Sequence, residues 1–323
     1  MNETKLDRVL WIFSFHNPGI MPSNVVGGIM PADMLGIKKL IFLDVHDPEK
    51  TLSNLNPKII ILSKVFHDKI IDLVKLAKKR KIKIISIFDD WNFDISSKTF
   101  NSKRNLPVAN YSDVIVVKTK SASKVLYKNT GLLSKVVPDM LRFKAHNLYS
   151  KINYPFNLCW FGMHTNHDSL IGELMKMNNT NLKINLKIIT NFCDKLKIAI
   201  NKTVYSNISF EFIDWHPQFD KEVVKSDIVI LPYPKDNERL VKSSNRIIDS
   251  INLGRFVLLS DVVQFKEFKN YTFFGDISEG LKWLKKNSHL VKNKVQNGQE
   301  YVNKNYSNEV TAKKWKDIII SLL

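Results

Sequence analysis

The strongest constraint on this chain is an alternation that runs through it: short apolar runs rich in Val, Ile and Phe, each followed by a longer stretch with apolar residues at helical spacing. That pattern predicts parallel strands joined by crossover helices. In the first half the runs are Arg8–Val9 to near Phe15, LIFLDV (40–45), KIIIL (58–62), KIISIF (83–88), DVIVV (113–117) and KVVPD (135–139). Between the third and fourth, FHDKIIDLVKLAKKRK (66–81) reads as an amphipathic helix whose basic last turn complements the helix dipole. The pattern fades across 142–157 and restarts with NLCWFG (157–162), INLKIIT (184–190), ISFEFIDW (208–215), DIVILPY (227–233) and RFVLLSD (255–261). Two α/β domains are expected, residues 1–150 and 151–323, with the final helix (about 308–323) able to pack back on the first domain. Trp11, Phe13 and Phe15 alternate along the first strand and read as core.

Composition narrows the partners. No apolar run reaches the ~18 residues that span a bilayer. The N-terminal MNETKLDRVLWIFSF is too short and polar in its apolar part for a secretory signal. Cys159 and Cys193 form neither a metal-type spacing nor a disulfide framework, which fits a cytoplasmic setting. The net charge is +18, yet only seven of the 49 basic residues are arginine (Arg8, Arg80, Arg104, Arg142, Arg239, Arg246, Arg255). Readers of nucleic acid lean on arginine forks, so nucleic acid is not expected as a partner. Lysines spread along the chain are compatible with a solvated surface, or with peripheral association with an anionic membrane at its inner face. G-x-S-x-G, G-x-x-x-x-G-K-[ST] and G-x-G-x-x-G are all absent, which removes the signatures of hydrolases, P-loop NTPases and classical dehydrogenases.

The segment from Asp227 to Asp261 carries the most chemistry. It reads as strand, polar loop, helix, Gly254 stop, strand. Lys242, Ser243, Ser244 and Asn245 stand where the loop enters the helix, whose free N–H groups and positive dipole end suit a diphosphate. Lys242 adds a charge, Arg246 a forked donor for phosphate oxygens, and Asp249 an acceptor for ribose hydroxyls. The plainer reading is an ordinary serine N-cap with solvated cations. Asp89, Asp90 and Trp91 follow a strand end: paired carboxylates and an aromatic suit sugar hydroxyls, a ring face or a general base, while a helix cap is the alternative. Gly27 and Gly28 would let backbone amides approach a ligand. His164 and His167 stand three apart beside Asp168, but no further protein ligand is predictable nearby, so a loop role near phosphates is preferred to a metal site.

The pattern D-I-x-x-L-P … K-S-x-N-R-x-x-[DE]-x-x-x-x-G-x-x-V resembles the donor half of GT-B glycosyltransferases of the retaining, family-4-like kind. The likeness extends back through FEFIDW to WFGMHTNHDSL and forward through FGDISEGLKWL; SNVVGGIMPADMLG resembles the family's opening segment. It implies two Rossmann-like domains with parallel sheets facing a cleft. It also implies transfer, with retention, of a sugar from a nucleotide-diphosphate donor to a glycan or lipid-linked acceptor, with no cofactor and no metal. Asp249 would then bind the ribose and Lys242, Ser243, Asn245 and Arg246 the diphosphate. Gly162, His164 and Trp215 would complete the donor side, with Gly27, Gly28 and Trp91 on the acceptor side and Asp89 and Asp90 catalytic. The family's two glutamates, eight apart, are replaced by Val241 and Asp249. A GT-B-shaped epimerase and a non-catalytic nucleotide-sugar-binding protein are the rivals.

Overall fold

A computed structural model of the chain describes residues 3–13, 22–42, 47–64, 69–88, 100–146, 151–236 and 238–323, with backbone alone at 3–5, 100–104 and 238–239. The chain divides into two compact units: residues 1–140, 240–244 and 306–323 form the first, and residues 141–239 and 245–305 the second. The division therefore falls ten residues before the expected one at 150, and two later pieces count with the first unit.

In the first unit, strands β1 (Val9–Phe13), β2 (Lys38–Ile41), β3 (Ile59–Ser63), β4 (Lys83–Phe88), β5 (Val114–Val117) and β6 (Lys135–Val136) form one sheet in the order β2-β1-β3-β4-β5-β6. All its pairings are parallel. A parallel sheet is covered on both faces, which is why its strands read as unbroken apolar runs. One face packs Leu10, Ile12, Ile60, Leu62 and Ile84 with Val241; the other packs Trp11, Phe13, Ile59, Ile61 and Ile85. The second cluster includes Trp315, whose ring meets Trp11 edge-on at 4.9 Å and so holds the final helix (Asn308–Ile320) in this unit. The Ile70–Lys79 helix buries Ile70, Leu73, Val74 and Ala77, the spacing seen in the sequence. Phe15 lies outside the described residues.

Around Gly27 and Gly28, expected to bring backbone amides to a ligand, the chain is helical. Pro22–Asn24 is α-helical, Val25–Ile29 makes a π-helical turn and Met30–Met34 is α-helical again, with Pro31 in its first turn. Pro31 has no N–H to return to the Gly27 carbonyl four residues back, and a widened turn accommodates its ring. That carbonyl accepts from Lys118 Nζ at 3.3 Å.

In the second unit, β7 (Phe156–Phe161), β8 (Ile184–Thr190), β9 (Ile208–Asp214), β10 (Ile228–Leu231), β11 (Phe256–Leu259) and β12 (Phe273–Phe274) form a sheet in the order β12-β11-β10-β7-β8-β9. Every pairing is again parallel. Strand order reverses at β7. The chain runs outward through β8 and β9, then returns to lay β10, β11 and β12 on the other side. Crossover helices leave opposite faces on the two sides of such a point, and a crevice opens at the carboxyl ends of β7 and β10.

Candidate functional site

Arg246 occupies that crevice in the second unit. It stands in the first turn of the Asn245–Asn252 helix, whose apolar residues Ile247, Ile248 and Ile251 are buried. Its Nη1 donates to the carbonyl of Phe161, the last residue of β7, at 3.2 Å. Its guanidinium lies 4.6 Å from the ring centroid of Tyr233, two residues beyond β10. One side chain therefore touches both strand ends that bound the crevice. A flat guanidinium on an aromatic face keeps its charge while losing little freedom, and its remaining N–H groups suit an anion. Gly162 permits this approach: a Cβ there would stand 3.0 Å from Arg246 Nη1 and 2.9 Å from Trp160 Cζ2. At the helix start, Asn245 Oδ1 accepts from the Arg246 N–H at 2.7 Å.

Asp249, expected as an acceptor for ribose hydroxyls, is buried. It is 2% exposed, and its Oδ1 accepts from the Arg142 N–H at 3.2 Å. One turn on, Asn252 Nδ2 donates to the Phe143 carbonyl at 2.8 Å and the Asn252 carbonyl accepts from the His146 N–H at 3.1 Å. The buried face of the helix thus fastens residues 142–146, part of the stretch read from sequence as a crossing between domains. Arg142 lies 5.6 Å from the ring centroids of both Phe143 and Phe219. Phe219 in turn contacts Phe161 at 5.2 Å and Trp215 at 6.3 Å, so Trp215, half-buried, belongs to an aromatic cluster beneath the carboxyl ends of β7 and β9.

His164 is exposed on a 3-10 turn after β7. Asn191, just past β8, accepts the His164 N–H through Oδ1 at 2.9 Å, and its side-chain nitrogen is 3.1 Å from His164 Nδ1. His167 begins the next helix, is buried, and places Nε2 2.9 Å from Thr190 Oγ1. Burial first, and the nearby His164 second, hold the His167 imidazole below its ordinary pKa. The two histidines therefore face different partners, and among the described residues no three His, Cys, Asp or Glu side chains are grouped to hold a metal ion.

The remaining expected site residues lie elsewhere. Lys242 and Ser243 belong to the 240–244 stretch of the first unit, where Ser243 Oγ donates to Asp139. Asp139 pairs at 3.1 Å with Lys118, and both side chains are almost wholly buried. Val241 is 5% exposed in the same unit's apolar core, so a glutamate there would bury its charge. Gly27 and Gly28 are buried rather than presenting amides to a ligand: a Cβ on Gly27 would stand 2.8 Å from Lys118 Nζ, and one on Gly28 2.6 Å from Phe13 Cε1. Asp89, Asp90 and Trp91 fall outside the described residues. Tyr233 and Arg142 went unnoticed in the sequence. Their signals were an aromatic directly after a strand at the switch point, and one of only seven arginines.

No protein-family model and no curated protein matches this sequence. Solved structures do match in shape. HepE of Anabaena, solved in complex with UDP, aligns with a TM-score of 0.69 at 11% identity, covering 97% of this chain and 100% of that one. The fold is GT-B. The S. aureus TarM, solved with UDP and alpha-GlcNAc-glycerol, aligns with a TM-score of 0.57 at 14% identity, over 84% of this chain and 58% of that one. The UDP-GlcNAc 2-epimerase of Neisseria meningitidis, bound to UDP-GlcNAc, gives 0.56 at 11% identity, over 97% and 99%. In GT-B terms, the two six-stranded parallel sheets are the two Rossmann-like halves.

Proposed function

We propose that this protein is a glycosyltransferase that takes a sugar from a nucleotide-diphosphate donor bound on the second unit and passes it to a hydroxyl of a glycan or lipid-linked acceptor, with retention. The supporting observation is Arg246, fixed by the Phe161 carbonyl and the Tyr233 ring at the point where strand order reverses. In transfer, the bond from the sugar's anomeric carbon to the diphosphate oxygen breaks, the electron pair leaves with the diphosphate, and the acceptor oxygen bonds to that carbon as it loses its proton. Arg246 and the N–H groups opening the Asn245–Asn252 helix would meet the negative charge that grows on the leaving diphosphate, so that no metal is needed for that task. Lys242 is a further candidate for the diphosphate on sequence grounds. Asp89 and Asp90 are the candidates to receive the acceptor proton on the same grounds. Asp249 is the candidate for the ribose, again on sequence grounds.

The reading is tested by calorimetry with UDP, followed by assays for sugar release from UDP-sugars with and without acceptors. Binding of UDP by the parent and its loss in Arg246→Ala support the donor site. Equal binding by both proteins would end this assignment. The match to a 2-epimerase across almost the whole chain keeps one rival: interconversion of UDP-sugars with no acceptor present would replace transfer by epimerisation.

A further inference from the structure

Phe192 stands in a conformation that bulky residues avoid. Its φ of 57° and ψ of 46° are left-handed, where a side chain crowds its own backbone. Nor does burial hold it there, because it is 60% exposed. The turn is secured by its neighbours instead. Asn191 binds His164 through both side-chain atoms, the Asn191 carbonyl accepts from Thr190 Oγ1 at 3.2 Å, and Thr190 is anchored by His167. The Phe192 ring meets the His164 imidazole edge-on at 5.1 Å, and His164 is exposed too. A strained residue that its surroundings over-determine is a mark of ligand clamps. Here the clamp displays a pair of aromatic rings to solvent.

The position of that pair suggests its ligand. Strand β8 adjoins β7, with Ile189 in register with Phe161. Phe192 follows the end of β8 by two residues, and Arg246 is anchored on Phe161. Adjacent strands lie about 4.8 Å apart and a strand rises about 3.3 Å per residue, so Phe192, three residues past Ile189, stands about one strand width across the sheet and roughly 10 Å further along it from the guanidinium's anchor. A nucleotide whose diphosphate rests on Arg246 has its base within that order of reach. Building on the donor-site reading above, we propose that Phe192 and His164 form a ledge on which the nucleobase of the donor stacks. The ledge binds the face of the base, which every base possesses, so it supplies affinity for the nucleoside rather than a choice among bases.

The experiment uses the full chain and two probes, UDP and inorganic pyrophosphate, measured by calorimetry on the parent, Phe192→Gly and Phe192→Trp. Glycine accepts the left-handed turn without strain, so Phe192→Gly removes the ring while leaving the turn intact. The expected result is a loss of about tenfold in UDP affinity for Phe192→Gly, with pyrophosphate affinity unchanged and Phe192→Trp close to the parent. If UDP and pyrophosphate weaken together, or UDP binds Phe192→Gly as well as the parent, the ledge is refuted while the donor site stands. If the parent binds neither probe, the donor site and the ledge fail together.

Discussion

Removing Lys118 should cost the first unit far more than an ordinary surface lysine would. Lys118 Nζ lies 3.1 Å from Asp139 Oδ1, the two side chains are 1% and 2% exposed, and the same ammonium serves the Gly27 carbonyl. Lys118→Met therefore leaves a carboxylate charge in the core beside the Ser243 hydroxyl, and takes away the cation that serves the carbonyl left by Pro31. Breaking one side of a buried pair costs about 3–5 kcal/mol. For a unit of this size that corresponds to a fall of roughly 6–20 °C in Tm. Asp139→Asn alone should also be severe, because it strands the ammonium. The double variant Lys118→Met with Asp139→Asn carries no charge and keeps an acceptor for Ser243, so it should recover most of the loss, ending about 1–2 kcal/mol below the parent. Thermal and urea unfolding of the four proteins measure this cycle. A single Lys118→Met loss below about 1 kcal/mol, or a double variant as unstable as the sum of its singles, would refute the reasoning.

Three further outcomes are expected. Asp249→Asn keeps an acceptor for the Arg142 N–H and should cost about 1 kcal/mol in stability, whereas a ribose contact would appear as a UDP affinity loss that shrinks with the 2′-deoxy analogue. The His167 imidazole is held below its usual value of 6.5, so below that pH the unfolded chain takes up a proton that the native state refuses. Protons bound are then greater in the unfolded state, and stability falls as pH drops from about 6.5 towards the folded-state value. Tm against pH for the parent and His167→Gln should diverge in that window; parallel curves would contradict it. Finally, the charge of +18 should give salt-sensitive binding to anionic vesicles and none to neutral ones, and equal sedimentation with both would dismiss the electrostatic account.

What the sequence disclosed and concealed follows from the range of the forces involved. Strands such as KIISIF and INLKIIT were legible because a parallel sheet buries both faces, so each residue reports its own environment. The switch-point helix was legible because Gly254 and the apolar spacing bound it locally. The Val25–Ile29 turn was not, since Gly27 and Gly28 read as freeing backbone amides for a ligand until Phe13, Lys118 and Asp139, distant in sequence, supply contacts that demand glycine. The burial of Asp249 was concealed for a similar reason: one of its partners is a backbone N–H at Arg142, which no side-chain pattern announces. Nothing in Asn-Phe-Cys signals a left-handed Phe192, because the groups that enforce it lie on neighbouring strand ends.

The meeting of Trp11 with Trp315 also sets a timetable for synthesis. The ring of Trp315 is made some 300 residues after that of Trp11. At about 5–20 residues per second the delay is roughly 15–60 s, long beside the collapse of a small domain. Throughout that interval the apolar face of β1 has no native cover from the final helix, while residues 141–239 and 245–305 emerge whole. The unit begun first thus waits for the whole of the other before its Trp11 can meet Trp315.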